Sequence, residues 1–254
     1  TLNGAAVVAA DVATTFVSAT HLGVTLSGLN VVVAAGTPAG SYSLDYKICE
    51  HLNPANCDTA TVTVPVAAAV IDAVNDTGVS VNGAAGGTSF ANVLGNDTLN
   101  GAAVVAADVA TTFVSSTHAG VSLSGLSVVV AAGTPAGSYS LVYRICEVLN
   151  PTNCDEATVT VTVTAAAIDA VNDSGSVNGL TGGSAVANVL TNDTLNGTPV
   201  VPGTVTVAQV LTSHPGVTLV GPSVVVAAGT PAGSYTLVYR ICEVLNPTNC
   251  DEAT

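Results

Sequence analysis

The sequence predicts an all-β chain of tandem immunoglobulin-like β-sandwich modules, seven to eight strands each, arranged as a rod-like array. Three observations predict it: a strand-forming composition, a near-identical repeat, and short alternating runs separated by turn residues. Hydrophobic residues make up 48% of the 254, yet Trp and Met are absent and aromatics reach only 4%. The apolar content is therefore mostly Val, Ala, Leu and Ile. With 25 Gly and 11 Pro, this suits short strands punctuated by turns, whereas long helices would need Leu, Glu, Lys and Arg in quantity.

The repeat is visible directly. T-L-N-G begins at Thr1, Thr98 and Thr194, and G-T-P-A-G-S-Y ends at Tyr42, Tyr139 and Tyr235, spacings of 97 and 96 residues in both cases. Three copies are expected: residues 1–68 without the start of the module, 69–164 complete, and 165–254 without the last strand. In the middle copy the alternation predicts strands at 69–74, 88–94, 102–105, 110–114, 121–123, 127–131, 139–146 and 158–163. Short strands with turn signals every 8–12 residues over about 100 residues define the sandwich. The connection T-A-A-A-I after Val163 holds neither Gly nor Pro, so modules are expected to join strand to strand with little slack.

A period of two assigns each side chain of the 139–163 hairpin to a face. Tyr139, Leu141, Tyr143 and Ile145 point inward with Val159, Val161 and Val163; Cys146 and Cys154 point outward. The pairs Cys49–Cys57, Cys146–Cys154 and Cys242–Cys250 each enclose a loop E-x-L-N-P-x-N, and a local disulfide at the hairpin end is the economical pairing. The rival is a metal, for which a lone C-x7-C without a further thiol or paired His makes a poor zinc site. Stable disulfides imply an oxidising compartment and hence an extracellular protein. Tyr42, Tyr139 and Tyr235, each after P-A-G-S, resemble the tyrosine corner of immunoglobulin-type sandwiches.

Charge excludes one class of partner. Three cations against 17 acidic residues leave a formal charge of −14 and no basic surface to neutralise phosphates, so nucleic acid is not expected. No apolar run approaches the roughly 20 residues that span a bilayer as a helix. No G-x-S-x-G elbow or H-E-x-x-H helix is present, and the chain is read as not an enzyme. His21, His118 and His214 recur shortly before a Gly and are read as surface-turn residues. Lys47 gives way to Arg144 and Arg240, so a Lys–Asn isopeptide cross-link has no donor in copies two and three.

Copies two and three open D-A-V-N-D-[TS]-G and continue N-V-L-x-N-D-T-L-N-G. Here the chain resembles the bacterial immunoglobulin-like and cadherin-like repeats of giant surface adhesins. With the C-E-x-L-N-P-x-N-C clip, it is most similar to arrays in secreted surface proteins of gliding and predatory Bacteroidota. The resemblance implies a cell-surface or filament role, in some members with calcium at module junctions. No other cofactor is implied. The matching calcium positions are Asp76, Asn96 and Asp97, and Asp173, Asn192 and Asp193. Hard oxygen ligands suit Ca²⁺, although Asn75 and Asn172 replace a second Asp, and the same residues also suit Asx-turns. Thr59, Thr98 and Thr194 lie in D-T-apolar triplets similar to O-glycosylation acceptors of that group. The expected partners are neighbouring repeats, a homo-oligomeric filament and cell-surface contacts. A stalk or filament segment is the first functional expectation; a glycan- or protein-binding role for each module is the second.

Overall fold

The structure, a computed structural model, describes residues Thr1–Thr254 and is all-β apart from two single-turn 3₁₀ helices at Ala9–Asp11 and Val189–Thr191. In chain order the strands begin with β1 (Val12–Ala19), β2 (Val24–Ser27), β3 (Asn30–Val33), β4 (Gly40–Glu50) and β5 (Cys57–Val66). The next eleven are β6 (Ile71–Asp72), β7 (Asp76–Thr77), β8 (Val81–Asn82), β9 (Gly87–Phe90), β10 (Thr98–Leu99), β11 (Ala102–Ala103), β12 (Val109–Ser116), β13 (Val121–Ser124), β14 (Ser127–Val130), β15 (Gly137–Glu147) and β16 (Cys154–Thr164). The last nine are β17 (Ile168–Asp169), β18 (Gly183–Val186), β19 (Thr194–Leu195), β20 (Thr198–Pro199), β21 (Val205–Thr212), β22 (Val217–Val220), β23 (Ser223–Val226), β24 (Leu237–Glu243) and β25 (Cys250–Ala253).

The chain forms two compact units: residues 1–74 with 94–112 and 143–157, and residues 75–93 with 113–142 and 158–254. Each boundary between sequence repeats, 68/69 and 164/165, therefore lies inside a unit. In the first unit, β1-β4-β5 form an antiparallel sheet, β2 and β3 a hairpin, and β11-β10-β6 a small sheet. Val24, Leu44 and Val64 are its buried core in the first repeat. In the second unit the sheets β21-β24-β25 and β18-β23-β22 enclose Val189, Val205, Val217, Leu237, Tyr239, Ile241 and Ala253. There β7 and β8 pair in parallel with β16, placing Val159 opposite Asp76 and Val163 opposite Val81.

Alternation decides the faces as the sequence predicts. Leu141, Tyr143 and Ile145 on β15 and Val159, Val161 and Val163 on β16 are buried, while Arg144, Cys154, Thr160 and Thr162 are exposed. Continuing the parity one step puts Glu147 and Glu243 inside, at 6% and 2% exposure. The residues predicted as one strand over 88–94 divide: β9 ends at Phe90, and Val93 and Leu94 are buried in the following turn. The reason is plain in the third repeat, where the Asn188 side chain accepts the Leu190 N–H (3.1 Å) and starts a helical turn that a strand cannot accommodate. Strands β7 and β8 were not legible as strands, because D-T-G-V-S-V-N is extended only through its pairing with β16.

The N-G pair of T-L-N-G makes the tight turn between β10 and β11. Asn100 (φ +52°) and Gly101 (φ +73°) both sit in the left-handed region, as a two-residue type I′ hairpin requires, and Asn196–Gly197 repeat it.

Candidate functional site: the joint between repeats

The clip loop is built in three layers. Cys146 and Cys154 form a disulfide, as do Cys49–Cys57 and Cys242–Cys250, each pair with Cα atoms 4.1 Å apart. Asn150-Pro151-Thr152-Asn153 is a β-turn, with Pro at its second position and Asn153 N–H donating to Asn150 O (2.8 Å). Glu147 N–H then donates to Asn153 O (3.0 Å), closing the loop onto the hairpin. The side chains of Glu147, Asn150 and Asn153 are thereby held in one place.

What they hold is the connection to the preceding repeat. Ala69 N–H donates to Glu147 Oε2 (3.4 Å), and Asn153 Nδ2 donates to Ala69 O (2.8 Å) and to Glu147 Oε2 (3.0 Å). Asn150 Oδ1 reaches back into the preceding repeat and accepts the Ala39 N–H at 2.6 Å. On the other side of the linker, Asn100 Oδ1 accepts from Val70 N (2.9 Å), and Asn100 N donates to Val70 O (2.7 Å). The second unit repeats the set with Ala166, Glu243, Asn249 and Asn246, the last accepting Ala136 N–H at 2.6 Å. Asn196 grips Ala167 in the same way and adds a reciprocal amide pair with Asn82 (3.0 and 3.2 Å). Each such bond contributes about 1 kcal/mol against water, and an Asn offers both acceptor and donor ends in one short side chain.

The tyrosines enter here. Tyr42 and Tyr139 hydroxyls donate to Pro38 O and Pro135 O, both at 2.9 Å, and Tyr235 does the same to Pro231 O. His21, His118 and His214 lie against these rings with centroids 4.8–4.9 Å apart, and each Nδ1 accepts the N–H of the Gly two residues on. The ring thus fixes the P-A-G turn whose Ala N–H meets the next repeat's Asn. Sequence reasoning placed the histidines in turns and missed their stacking.

Burial alone would raise the Glu147 carboxyl; donors from Asn150, Asn153 and the Ala69 N–H outweigh it and hold it below the usual carboxylate range. In the first repeat, Asn53 and Asn56 donate to Glu50 and lower it likewise. The loop carries its own anion-holding geometry there too.

The calcium candidates occupy a different place, where they tie the opening segment of a repeat to its sandwich. Asp97 is fully buried and accepts Val74 N–H (2.7 Å) and the Tyr143 hydroxyl (3.0 and 3.1 Å to its two oxygens). Asp193 accepts Val171 N–H (2.8 Å) and the Tyr239 hydroxyl, which also lies 3.1 Å from Asp173 Oδ2. Asn192 Nδ2 donates to Val171 O and Asn172 O, and Asp76 is buried on β7. Asn96, its counterpart in the middle repeat, is exposed. Calcium needs six to eight oxygens turned toward one point; the carboxylates of Asp97, Asp193 and Asp173 are turned toward protein hydrogens, and no three acidic, His or Cys groups converge. The residues fit a hydrogen-bonded lock and not a calcium cage. Melting in excess calcium and in chelator is accordingly expected to give one midpoint within about 1 °C, and a calcium-dependent rise would reassign these oxygens.

Burial raises both Asp97 and Asp193, with neighbouring carboxylates adding to it. Burial and the facing Asp193 and Asp173 raise the Tyr239 phenol, which stays protonated as a donor. Of the glycosylation candidates, Thr59 is exposed on β5, whereas Thr98 and Thr194 are half-buried, each on the middle strand of a three-stranded sheet.

No protein-family model and no curated protein matches the sequence. Among solved structures, the chain is similar to the protocadherin GammaB4 extracellular domain, with TM-score 0.33 and 13% identity over 96% of this chain and 44% of that one. Mouse cadherin-23 EC22-24 gives TM-score 0.32 and 13% identity over 96% and 83% of the two chains. An endo-fucoidan hydrolase of glycoside hydrolase family 107 gives 0.31 and 10% over 95% and 38%. This chain therefore spans less than half the length of the protocadherin and of the hydrolase. Three disulfides accord with an extracellular protein.

Proposed function

We propose that the chain is a structural segment of a giant extracellular repeat protein, a stalk or filament that holds adhesive parts away from a cell surface. The observation that carries this reading is the joint. The same three side chains of E-x-L-N-P-x-N grip both the linker and the preceding repeat, and they do so at both repeat boundaries. Residues repeated in every copy are thus spent on fixing one repeat to the next, which is what a member that transmits length and force needs. Flexible tethers have no use for such a clamp.

The test is a double substitution, Asn150→Ala with Asn246→Ala, read by small-angle scattering. Circular dichroism is expected to match the parent, because each Asn lies outside the sandwich core, while the scattering changes from that of a stiff particle to that of hinged beads. Identical stiffness in parent and variant would end the stalk reading. A second reading, in which each repeat is itself adhesive, draws on Phe16 and Phe113, which occupy the same repeat position on β1 and β12 and are 48% and 51% exposed. Saturable glycan binding lost in a Phe113→Ser variant would favour it.

A further inference from the structure

The three repeats differ along one outer strand, β2 in the first, β13 in the middle and β22 in the third. These strands share one register, Val121↔Val130 to Ser124↔Ser127 in the middle repeat and Val217↔Val226 to Val220↔Ser223 in the third, and each has a neighbouring strand on one side only. In the third repeat the other side is closed by the chain's own side chains. Leu219 N–H donates to Gln209 Oε1 (2.9 Å), and Thr212 Oγ1 donates to Val217 O (2.9 Å). An acceptor for the N–H of one residue and a donor for the C=O two residues before it are what an adjacent antiparallel strand supplies. Gln209 and Thr212 thus stand in for a strand. Their equivalents in the middle repeat are Phe113, which has no polar end, and Ser116, whose hydroxyl donates to His118 O (2.9 Å) instead; in the first repeat they are Phe16 and Ala19. Val121 O with Leu123 N–H, and Val24 O with Leu26 N–H, therefore face outward on the side of a Phe that is half exposed.

We propose that β2 and β13, with Phe16 and Phe113, are the edges on which a second copy of this chain docks, strand edge against strand edge, and that the third repeat is closed to it. The edge is complementary to itself. Two copies of β13 set antiparallel about Ser122 let each Leu123 N–H donate to the other's Val121 O, the isologous arrangement of a two-fold pair, with Phe113 and Val114 of each copy at its rim. Charge favours this occupant over an ionic one. Neither 12–19 and 24–27 nor 109–116 and 121–124 holds a charged residue, so the formal charge of −14 is carried elsewhere and neither repels a second copy at the edge nor selects a basic partner there. Natural strand edges are commonly guarded by Lys, Pro or an inward charge; these two have none of them, whereas Gln209 and Thr212 guard the third. The contact is lateral, so it goes beyond the stalk reading and holds whether the joints are stiff or hinged.

The repeats supply the variants, since each side chain introduced already occupies the same position in another repeat. Phe16→Gln, Ala19→Thr, Phe113→Gln and Ser116→Thr together close both edges as the third repeat is closed. Gln209→Phe with Thr212→Ala opens the third as the first is open. Sedimentation equilibrium of the full chain is expected to show reversible self-association of the parent, weaker by roughly tenfold or more in the closed variant and tighter in the opened one. Circular dichroism checks folding, and if the closed variant loses its β-sheet signal the opened one decides alone. The proposal is overturned if the parent stays monomeric up to roughly millimolar concentration, if the closed variant associates as tightly as the parent, or if the opened variant gains nothing. A monomeric parent that binds a glycan or a basic peptide saturably, and loses it in the closed variant, would assign the edge to that ligand instead.

Discussion

Asp97→Ala is expected to destabilise the middle repeat by about 2–4 kcal/mol and to lower its melting midpoint by roughly 10 °C or more. Removing the carboxylate takes the acceptor from Val74 N–H and leaves the buried Tyr143 hydroxyl its longer contact to Val74 O (3.3 Å), and the methyl group that replaces the carboxylate reaches neither donor. Asp97→Asn keeps an oxygen for them and should cost far less. Thermal denaturation of the three proteins checks the order. Equal midpoints for parent and Asp97→Ala would show that the buried carboxylate is no lock. The same groups give a pH signature. Burial raises Asp97 and Asp193, so between the ordinary carboxylate pKa and the raised one the folded state binds more protons than the unfolded one. Their contribution therefore favours folding as pH falls into that window and turns against it as pH rises through the folded pKa. Glu147 has the opposite sign: its contribution is present above the ordinary value and is lost only as pH falls through the lowered one. An Asp97→Asn, Asp193→Asn variant should show a flatter dependence of stability on pH just above the carboxylate range.

How far the sequence reaches is clearest in the 137–164 hairpin. Period-two alternation put Tyr143, Ile145 and Val161 inside and the cysteines outside, because a pleated strand with one wet face leaves no other choice. The 97- and 96-residue spacings gave the repeats for the same reason: near-identity needs no chemistry to be seen. What stayed hidden was relational. Asn150 and Ala39 are 111 residues apart, and nothing local in N-P-x-N says that its first Asn accepts a hydrogen bond from another repeat. A usable signal was present in Glu147, a carboxylate at an inward position with two Asn three and six residues later. Asp97 and Asp193 were legible as important with two chemistries open, since an N-V-L-x-N-D pattern suits an ion or an Asx-turn equally. The hydroxyls of Tyr143 and Tyr239 that engage them lie 46 residues further along the chain, which nothing local in the motif reveals.

Reducing the disulfides is expected to loosen the joints while leaving the sandwiches folded. Each bond closes a short loop at a hairpin end, worth about 2.5 kcal/mol in the chain-entropy model, and lies on the outer face away from Leu141, Tyr143 and Ile145. The sheet contacts survive its loss. The joint is more exposed to it, because Glu147, Asn150 and Asn153 all belong to the loop that Cys146–Cys154 closes, and Glu243, Asn246 and Asn249 to the one closed by Cys242–Cys250. Freed of the covalent base, the N-P-x-N turn samples more conformations, and the 2.6 Å bonds to Ala39 and Ala136 lose their fixed acceptors. Hydrogen exchange reads the two effects separately. Amides of Ala39, Ala69, Ala136 and Ala166 should exchange faster by about tenfold or more on reduction, while those of Leu141 and Ile145 keep most of their protection. Loss of the β-sheet signal would place the disulfides in the stability of the fold itself. Unchanged exchange at Ala39 and Ala136 would mean that the turn holds the preceding repeat without its clip.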